Sequence, residues 1–243
     1  MVFLLTGRLF AAEAISVPGI TEPILDSTLG TPVAGIVATR QVKEGDFVKK
    51  GDVLVELDKR LEELEVARRE VVLEPLKADF DANETLFKTP KSSVSQEILD
   101  KKRSDYKVAL AEYELAREQV RKRSITAPFD GSITEILLQA GEACQIQQPI
   151  LRIVDTRRCY FVCNVESKAG HSLRVGQKVS LEVESGPSVV LMEGVISFVS
   201  PVVDAASGLM KVKAIFENPD SKVRPGVSGK MTFQENANVS ARR

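Results

Sequence analysis

The hydrophobic and polar positions along this chain follow three patterns, and each pattern predicts a different kind of element. In residues 32–58 and again in 124–155, short apolar stretches are separated by Gly-Asp or Gly-Glu pairs. This pattern is typical of brief strands joined by tight turns. Residues 59–123 instead carry charges of both signs and no glycine, with apolar residues at helical spacing. From residue 156 onward apolar and polar residues alternate, as in the strands of a half-buried sheet.

The helical stretch contains two apolar stripes, one on each side of a break at residues 89–93. Their members recur at intervals of seven and are Val66, Leu73, Phe80 and Phe87 before the break and Leu99, Tyr106, Tyr113 and Val120 after it. Because a seven-residue repeat is typical of helices that pack along one seam, the stripes predict an antiparallel hairpin. Its arms should each be ~40–45 Å long. Pro75 is expected to kink the first arm, since proline removes a backbone donor.

The two turn-rich stretches are copies of one short pattern. The equivalent residues are Gly35 and Gly131, Gly45 and Gly141, and, with one extra residue in the second copy, Asp58 and Asp155. A segment of about two dozen residues cannot bury a core alone, so the copies should pack on each other as one β-sandwich. The hairpin then projects from that sandwich. Gly45 and Gly141 should need a backbone geometry that other residues resist.

The last third of the chain predicts a small antiparallel β-barrel. Its strands should include residues 160–162, 179–183, 195–199 and 211–216, which turn residues such as glycine and proline separate. Residues 166–174 are compatible with one short helix. Residues 15–31 predict short extended pieces broken near Pro18 and Pro23.

The predicted fold class is therefore α+β, elongated and multi-domain. A β-sandwich is split by an antiparallel α-helical hairpin and followed by a small antiparallel β-barrel. The predicted bounds are 1–31 for a signal remnant and leading strand, 32–58 plus 124–155 for the sandwich, 59–123 for the hairpin, 156–235 for the barrel and 236–243 for a polar tail.

Composition removes several classes of function. A net charge of −1 gives no reason to expect a nucleic-acid partner. One histidine and three cysteines argue against a Cys/His metal cluster. Cys159 and Cys163 would lie ~13 Å apart on a strand, too far for a disulfide. We therefore expect no catalytic, cofactor-binding or metal-binding residues.

The N-terminal sequence indicates export. Residues 2–10 are mostly apolar, and the Ala-Glu-Ala sequence at 12–14 fits a signal cleavage site. No run reaches the ~18 apolar residues that a membrane span needs. We expect an exported protein whose membrane anchor is not visible in this chain.

Four segments resemble a known family. They are Gly-Asp-Phe-Val-Lys-Lys-Gly-Asp-Val-Leu at 45–54, Ile-Thr-Ala-Pro-Phe-Asp-Gly at 125–131, Ser-Gly-Leu-Met-Lys-Val-Lys-Ala-Ile-Phe-Glu-Asn-Pro-Asp at 207–220 and Val-Arg-Pro-Gly-Val-Ser-Gly at 223–229. In this order they resemble the periplasmic adaptor (membrane fusion protein, HlyD-like) family of bacterial efflux pumps, of the RND type. The resemblance spans residues 17–233 and implies that the sandwich is lipoyl-like.

The resemblance implies a non-enzymatic periplasmic subunit associated with the inner membrane. Its implied partners are an inner-membrane transporter, an outer-membrane channel and further copies of itself in a ring, hexameric in the family. In many members an Arg, a Leu and a Ser at the hairpin tip dock onto the channel. Here Ser95 matches the Ser, but Glu84 and Lys88 stand at the other two positions. The tip residues expected to bind a partner are Leu86, Phe87, Lys88, Lys91 and Ser95.

Three other interpretations remain open. The partner transporter could be an ABC-type exporter rather than an RND transporter. A lipoyl or biotinyl carrier would use Lys59, although a charged helix should begin there at once. An enzyme would have to use His171, the only histidine, whose neighbours contain no nucleophile motif.

Overall fold

The computed structural model describes residues 14–90, 94–186, 188–219 and 221–234. Its helices are Arg60–Phe87 (α1), Gln96–Arg121 (α2) and Ser167–Gly170 (α3). Its strands are Ala14–Gly30 (β1), Gly35–Arg40 (β2), Phe47–Val48 (β3), Val53–Leu57 (β4), Ser124–Thr126 (β5), Gly131–Ile136 (β6), Ala143–Cys144 (β7), Pro149–Glu166 (β8), Lys178–Ser185 (β9), Ser188–Val199 (β10), Leu209–Glu217 (β11) and Ser228–Gln234 (β12). The chain separates into two compact units, Ser27–Ile153 and the remainder on either side of it.

The two copies of the repeat form one β-sandwich in the first unit. One sheet has the order β5-β4-β2-β7, so strands of both copies alternate within it. β3 of the first copy pairs with β6 of the second. The fully buried core side chains also come from both copies and include Val37, Leu54, Val55, Leu57, Ile133, Ile150, Leu151 and Ile153.

Equivalent residues of the two copies exchange equivalent hydrogen bonds. The Gly45 amide donates to the Ile133 carbonyl at 2.8 Å, and the Gly141 amide donates to the Val37 carbonyl at 2.8 Å. Both glycines have a φ of 92°, in the left-handed region where side chains other than glycine are strained. Each copy therefore completes the backbone hydrogen bonding of the other, which explains why neither could fold alone.

The hairpin is an insertion between β4 and β5. The Leu57 amide donates to the Arg123 carbonyl at 2.8 Å, and the Asp58 amide donates to the Ile36 carbonyl at 2.9 Å. Both ends of the insertion thus meet at the sandwich. α1 has 28 residues and α2 has 26, which gives arms of ~40 Å. α1 continues through Pro75 without a break in the helix assignment.

The second unit is a closed barrel with the strand order β1-β12-β9-β10-β11-β8, and pairing of β1 with β8 closes it. The sequence predicts barrel strands only after residue 156 and broken pieces before residue 31. The structure corrects both points, because β1 is one strand that passes through Pro18 and Pro23 and supplies the closing strand. Proline is tolerated in a strand where the partner does not need its missing amide.

Two glycines make room for the largest buried side chain of the barrel. Gly19 and Gly229 are paired across β1 and β12. A Cβ atom on Gly19 would lie 2.6 Å from Phe161 Cε1, and one on Gly229 would lie 3.0 Å from Phe161 Cε2. Phe161 is completely buried. The glycine pair therefore lets the Phe161 ring pack against the backbone of two strands.

Candidate functional site: the helical hairpin

The seam of the hairpin is narrow. Phe80 of α1 stacks on Tyr106 of α2, with ring centroids 5.7 Å apart and planes inclined by 5°. The buried side chains of α2 are Leu99, Ala109 and Ala116, and α1 has none. Because one seam uses so little of each helix, most of the helical surface remains exposed to other contacts.

Ion pairs across the seam fix the height of one helix against the other. Lys102 Nζ lies 2.7 Å from Asp79 Oδ2. The hydrogen bond from Asp79 raises the pKa of Lys102. Closer to the sandwich, the Arg69 guanidinium pairs with the Glu112 carboxylate. Pairs with more than a quarter of each side chain exposed add little stability, but they specify which residues lie at the same height.

The base of the hairpin is held by Arg123. Its Nη2 lies 2.5 Å from Glu62 Oε1 on α1, and its Nη1 donates to the Ala34 carbonyl of the sandwich at 3.0 Å. The side chains of Arg123 and Glu62 are only 21% and 18% exposed. One guanidinium therefore joins the end of α2, the start of α1 and the sandwich.

The tip of the hairpin presents apolar side chains to solvent. Leu86 and Phe87 end α1, and both are exposed, Leu86 by 51%. Lys91, another residue that we predict to bind a partner, lies outside the described residues. An apolar pair at the end of a long charged helix is suited to contact with another protein.

The polar residues of the predicted tip site make local contacts. Lys88 caps the C-terminus of α1, and its Nζ lies 2.9 Å from Glu84 Oε2. Ser95 is the N-cap of α2, where its Oγ accepts a hydrogen bond from the Ile98 amide at 3.3 Å. The structure thus places Lys88 and Ser95 on opposite sides of the turn, each bounding one helix.

Both outer faces of the hairpin also carry exposed aliphatic residues. On α1 these are Leu61, Leu64 and Val71, and on α2 they are Val108 and Leu115. Helical spacing places the α1 residues opposite the seam. Heptad patterning of the seam gave no hint of this second stripe, which was visible only as apolar residues left over between the charges.

Lys59 does not resemble an accessible attachment site. Its Nζ lies 2.6 Å from Glu56 Oε1 and 3.8 Å from Glu63 Oε1. The hydrogen bond from Glu56 raises the pKa of Lys59. The side chain is thus held in ion pairs at the start of α1.

Other chemical sites are not assembled in the described part of the chain. His171 is exposed, and its Nδ1 lies 2.6 Å from the Ser167 carbonyl. No group of three or more His, Cys, Asp or Glu residues is placed to hold a metal ion among the described residues. None of the described helices combines the length and the apolar character that a membrane crossing requires.

An Asp-Arg pair closes each copy of the repeat. The Asp58 carboxylate accepts hydrogen bonds from the Arg60 amide and guanidinium, at 3.2 and 3.3 Å. The Asp155 carboxylate accepts the same bonds from Arg157, both at 3.0 Å. The signal for this feature is an Asp-x-Arg sequence at equivalent positions of the two copies, which the repeat alignment contains but which we did not interpret.

Two domain models cover most of the chain. Residues 26–156 match the barrel-sandwich hybrid domain of RND MFP proteins. Residues 162–237 match a CusB-like β-barrel domain.

Curated relatives match with low identity over most of this chain. An uncharacterized protein of Haemophilus influenzae is 26% identical over 85% of this chain and 53% of its own length. The probable efflux pump periplasmic linker protein SepA of Pseudomonas putida is 29% identical, with coverages of 86% and 58%. The multidrug resistance protein MexA of Pseudomonas aeruginosa is 26% identical, with coverages of 92% and 62%. This chain therefore spans between 53% and 62% of the length of these three relatives.

Solved structures share the fold. A MacA-MexA chimeric protein that contains the Pseudomonas aeruginosa MexA α-hairpin domain superimposes with a TM-score of 0.79, at 22% identity, over 93% of this chain and 80% of the other. A putative efflux transporter from Bacteroides eggerthii superimposes with a TM-score of 0.72, at 20% identity, over 96% of this chain and 72% of the other. The α+β architecture of a sandwich split by a hairpin and followed by a barrel is thus a known one.

Proposed function

This chain belongs to the family of RND membrane fusion proteins, and we propose that it is the periplasmic adaptor subunit of a tripartite RND-type efflux pump. In that role it links an inner-membrane transporter to an outer-membrane channel. The observation that carries the proposal is the insertion of a long hairpin, with one narrow seam, into a β-sandwich. Such an element is suited to spanning a distance and to binding other proteins along its sides and at its tip. Relatives that are named efflux pump periplasmic linkers support this role.

The proposed role is structural rather than catalytic, and its place is the periplasmic side of the inner membrane. The predicted site residues carry no chemistry that a reaction would need, since Ser95 caps a helix and Lys88 is ion-paired. The carrier alternative is disfavoured because Lys59 is held by Glu56 and Glu63. The match to an RND domain model favours an RND transporter over an ABC exporter as the partner.

The hairpin tip is the proposed contact with the outer-membrane channel. The residues concerned are Leu86, Phe87, Lys88, Lys91 and Ser95. In a host strain that lacks the chromosomal gene, we expect Phe87→Asp and Lys88→Glu with Lys91→Glu to lower drug efflux toward that of the deletion strain. Far-UV circular dichroism should show an unchanged helix content, since the tip contributes little to the seam.

Ser95 needs its own control because it has a structural role. Any replacement that removes its N-cap costs ~1 kcal/mol of helix stability. Ser95→Ala removes the cap without adding bulk, whereas Ser95→Trp does both. If the tip docks, Ser95→Trp should impair efflux much more than Ser95→Ala. Equal efflux by the two variants, together with wild-type efflux by Phe87→Asp, would refute a docking role.

The outer faces of the hairpin are the proposed contacts between copies. Because Arg69 pairs with Glu112 across the seam, Val71 on α1 and Leu115 on α2 lie within about one helical turn of the same height. Val71 is 73% exposed and Leu115 is 61% exposed. In a ring whose axis runs along the hairpins, the α1 face of one copy meets the α2 face of the next at equal height. The two apolar faces would then cover each other.

Disulfide trapping tests this contact. Val71 and Leu115 lie on opposite faces of one hairpin, so cysteines at the two positions cannot pair within one copy. We expect Val71→Cys with Leu115→Cys to give a ladder of disulfide-linked oligomers after mild oxidation in the periplasm. Each single variant should give none, because the contact joins unlike faces. Oligomers in the single variants, or none in the double variant, would contradict this arrangement.

A further inference from the structure

Two connections leave the barrel at the same end. β8 ends at Glu166, which is paired with Leu209 at the start of β11. The connection from β8 to β9, residues 167–177, therefore lies at the same end of the barrel as the connection from β10 to β11, residues 200–208. We call these two connections the end loops.

Each end loop exposes an aliphatic side chain. Val175 in the first is 68% exposed and Val202 in the second is 69% exposed. Val203, next to it, is exposed as well. Aliphatic residues at protruding loop positions are unfavourable in water, so the end loops should contact an apolar phase or partner.

The second end loop satisfies its polar groups internally. Asp204 Oδ1 accepts hydrogen bonds from the Ala206 amide at 3.2 Å, the Ser207 amide at 2.8 Å and Ser207 Oγ at 2.8 Å. The Asp204 amide donates to the Leu209 carbonyl at 2.9 Å, and the Gly208 amide donates to the Asp204 carbonyl at 2.8 Å. A segment that leaves water must have its polar groups paired within the protein, because each unpaired group costs several kcal/mol in hydrocarbon. This loop meets that condition for its carboxylate and for several backbone groups.

The charges of the end loops are mainly positive. Residues 167–177 contain Lys168 and Arg174 and no acidic residue. In residues 200–208 the one acidic residue is Asp204, whose Oδ1 faces the donors of its own loop. An exposed acidic residue, Glu166, lies at the adjoining strand end. Cations beside exposed aliphatic residues form the combination that binds an anionic lipid surface.

We propose that the end loops bind the surface of an anionic phospholipid bilayer. Val175, Val202 and Val203 enter the boundary between headgroups and acyl chains, and Lys168 and Arg174 contact the headgroup phosphates. This binding goes beyond the adaptor role, which concerns protein partners of the hairpin. It gives the barrel a direct membrane contact.

Vesicle flotation with the purified full chain tests the proposal. At low ionic strength and millimolar lipid, the wild type should float with vesicles of phosphatidylcholine and phosphatidylglycerol and much less with phosphatidylcholine alone. Val175→Asp and Val202→Asp should each lower the partition coefficient about tenfold or more, since each removes a buried aliphatic group and adds a charge. Lys168→Glu should lower binding to the anionic vesicles only.

A matched control uses another exposed valine of the barrel. Val189 lies near the start of β10, at the opposite end from the end loops, and Val189→Asp should float like the wild type. The proposal is overturned if the wild type does not float, if Val175→Asp and Val202→Asp float normally, or if Val189→Asp is equally impaired. It is also overturned if Val202→Asp floats normally but no longer copurifies with the transporter, because the loop then binds protein. Flotation needs no pump component, so its failure would leave the adaptor role untouched.

Discussion

Replacing Arg123 with methionine should loosen the base of the hairpin. Methionine keeps most of the length of the arginine stem but removes the contacts to Glu62 at 2.5 Å and to the Ala34 carbonyl at 3.0 Å. A hydrogen bond to a charged group contributes ~1.5–3 kcal/mol. The loss of one partner also leaves the Glu62 carboxylate, 18% exposed, without its cation. After a discount for the exposed fraction, we expect the free energy of unfolding of the hairpin-bearing unit to fall by ~2 kcal/mol.

Urea unfolding followed by circular dichroism at 222 nm measures this loss, because nearly all described helix lies in α1 and α2. Arg121→Met is the matched control. Arg121 pairs with Glu118 at 2.7 Å, but its side chain is 79% exposed. Its replacement should therefore cost less than ~0.5 kcal/mol.

A double-mutant cycle with Glu62→Gln separates the ion pair from the packing of the arginine stem. The double variant should be less destabilised than the sum of the single variants by ~1 kcal/mol or more. Equal stabilities of Arg123→Met and Arg121→Met, or a coupling energy near zero, would refute the idea that Arg123 braces the hairpin.

Three further predictions concern the sandwich and the barrel. Gly45→Ala should lower the free energy of unfolding by ~1 kcal/mol through its positive φ alone, since no atom lies within 4 Å of the added Cβ, and urea titration checks this. The hydrogen bond from Arg157 lowers the pKa of Asp155, so its contribution to stability is present above the unfolded pKa and is lost as pH falls through the folded pKa. Asp155→Asn should therefore flatten the loss of stability below about pH 4, measured by unfolding at a series of pH values. Burial raises the pKa of Cys159 to about 11 and of Cys163 to about 12, so both thiols should resist a thiol reagent at pH 8 and react in urea.

The elements with a local signal in the sequence were predictable. The glycine turns follow from their Gly-Asp and Gly-Glu pairs, and the structure shows Gly45 and Gly141 with the same φ of 92°. The hairpin follows from its seven-residue spacing, and Phe80 and Tyr106 do stack along the seam. The pairing of the two copies follows from their small size, which leaves each without a core of its own.

The features that depend on distant partners were not predictable. β1 contains Pro18 and Pro23, which indicate breaks in any local analysis, yet pairing with β12 and β8 makes it one strand of the barrel. The Arg123 brace depends on a guanidinium that reaches the Ala34 carbonyl across 89 positions of sequence. No local pattern reports such a contact, because it exists only once the sandwich and both helices are in place.

Removal of the hairpin tests the central claim most directly. The Leu57 amide bonds to the Arg123 carbonyl at 2.8 Å, so a short Gly-Ser linker can replace residues 59–123. In a strain that lacks the chromosomal gene, we predict that this variant restores no drug efflux, while its NMR spectrum retains the dispersed amide signals of Gly45 and Gly141. Efflux at the wild-type level without the hairpin, or loss of those signals from an unfolded sandwich, would contradict a two-copy sandwich that carries the hairpin as its working insertion.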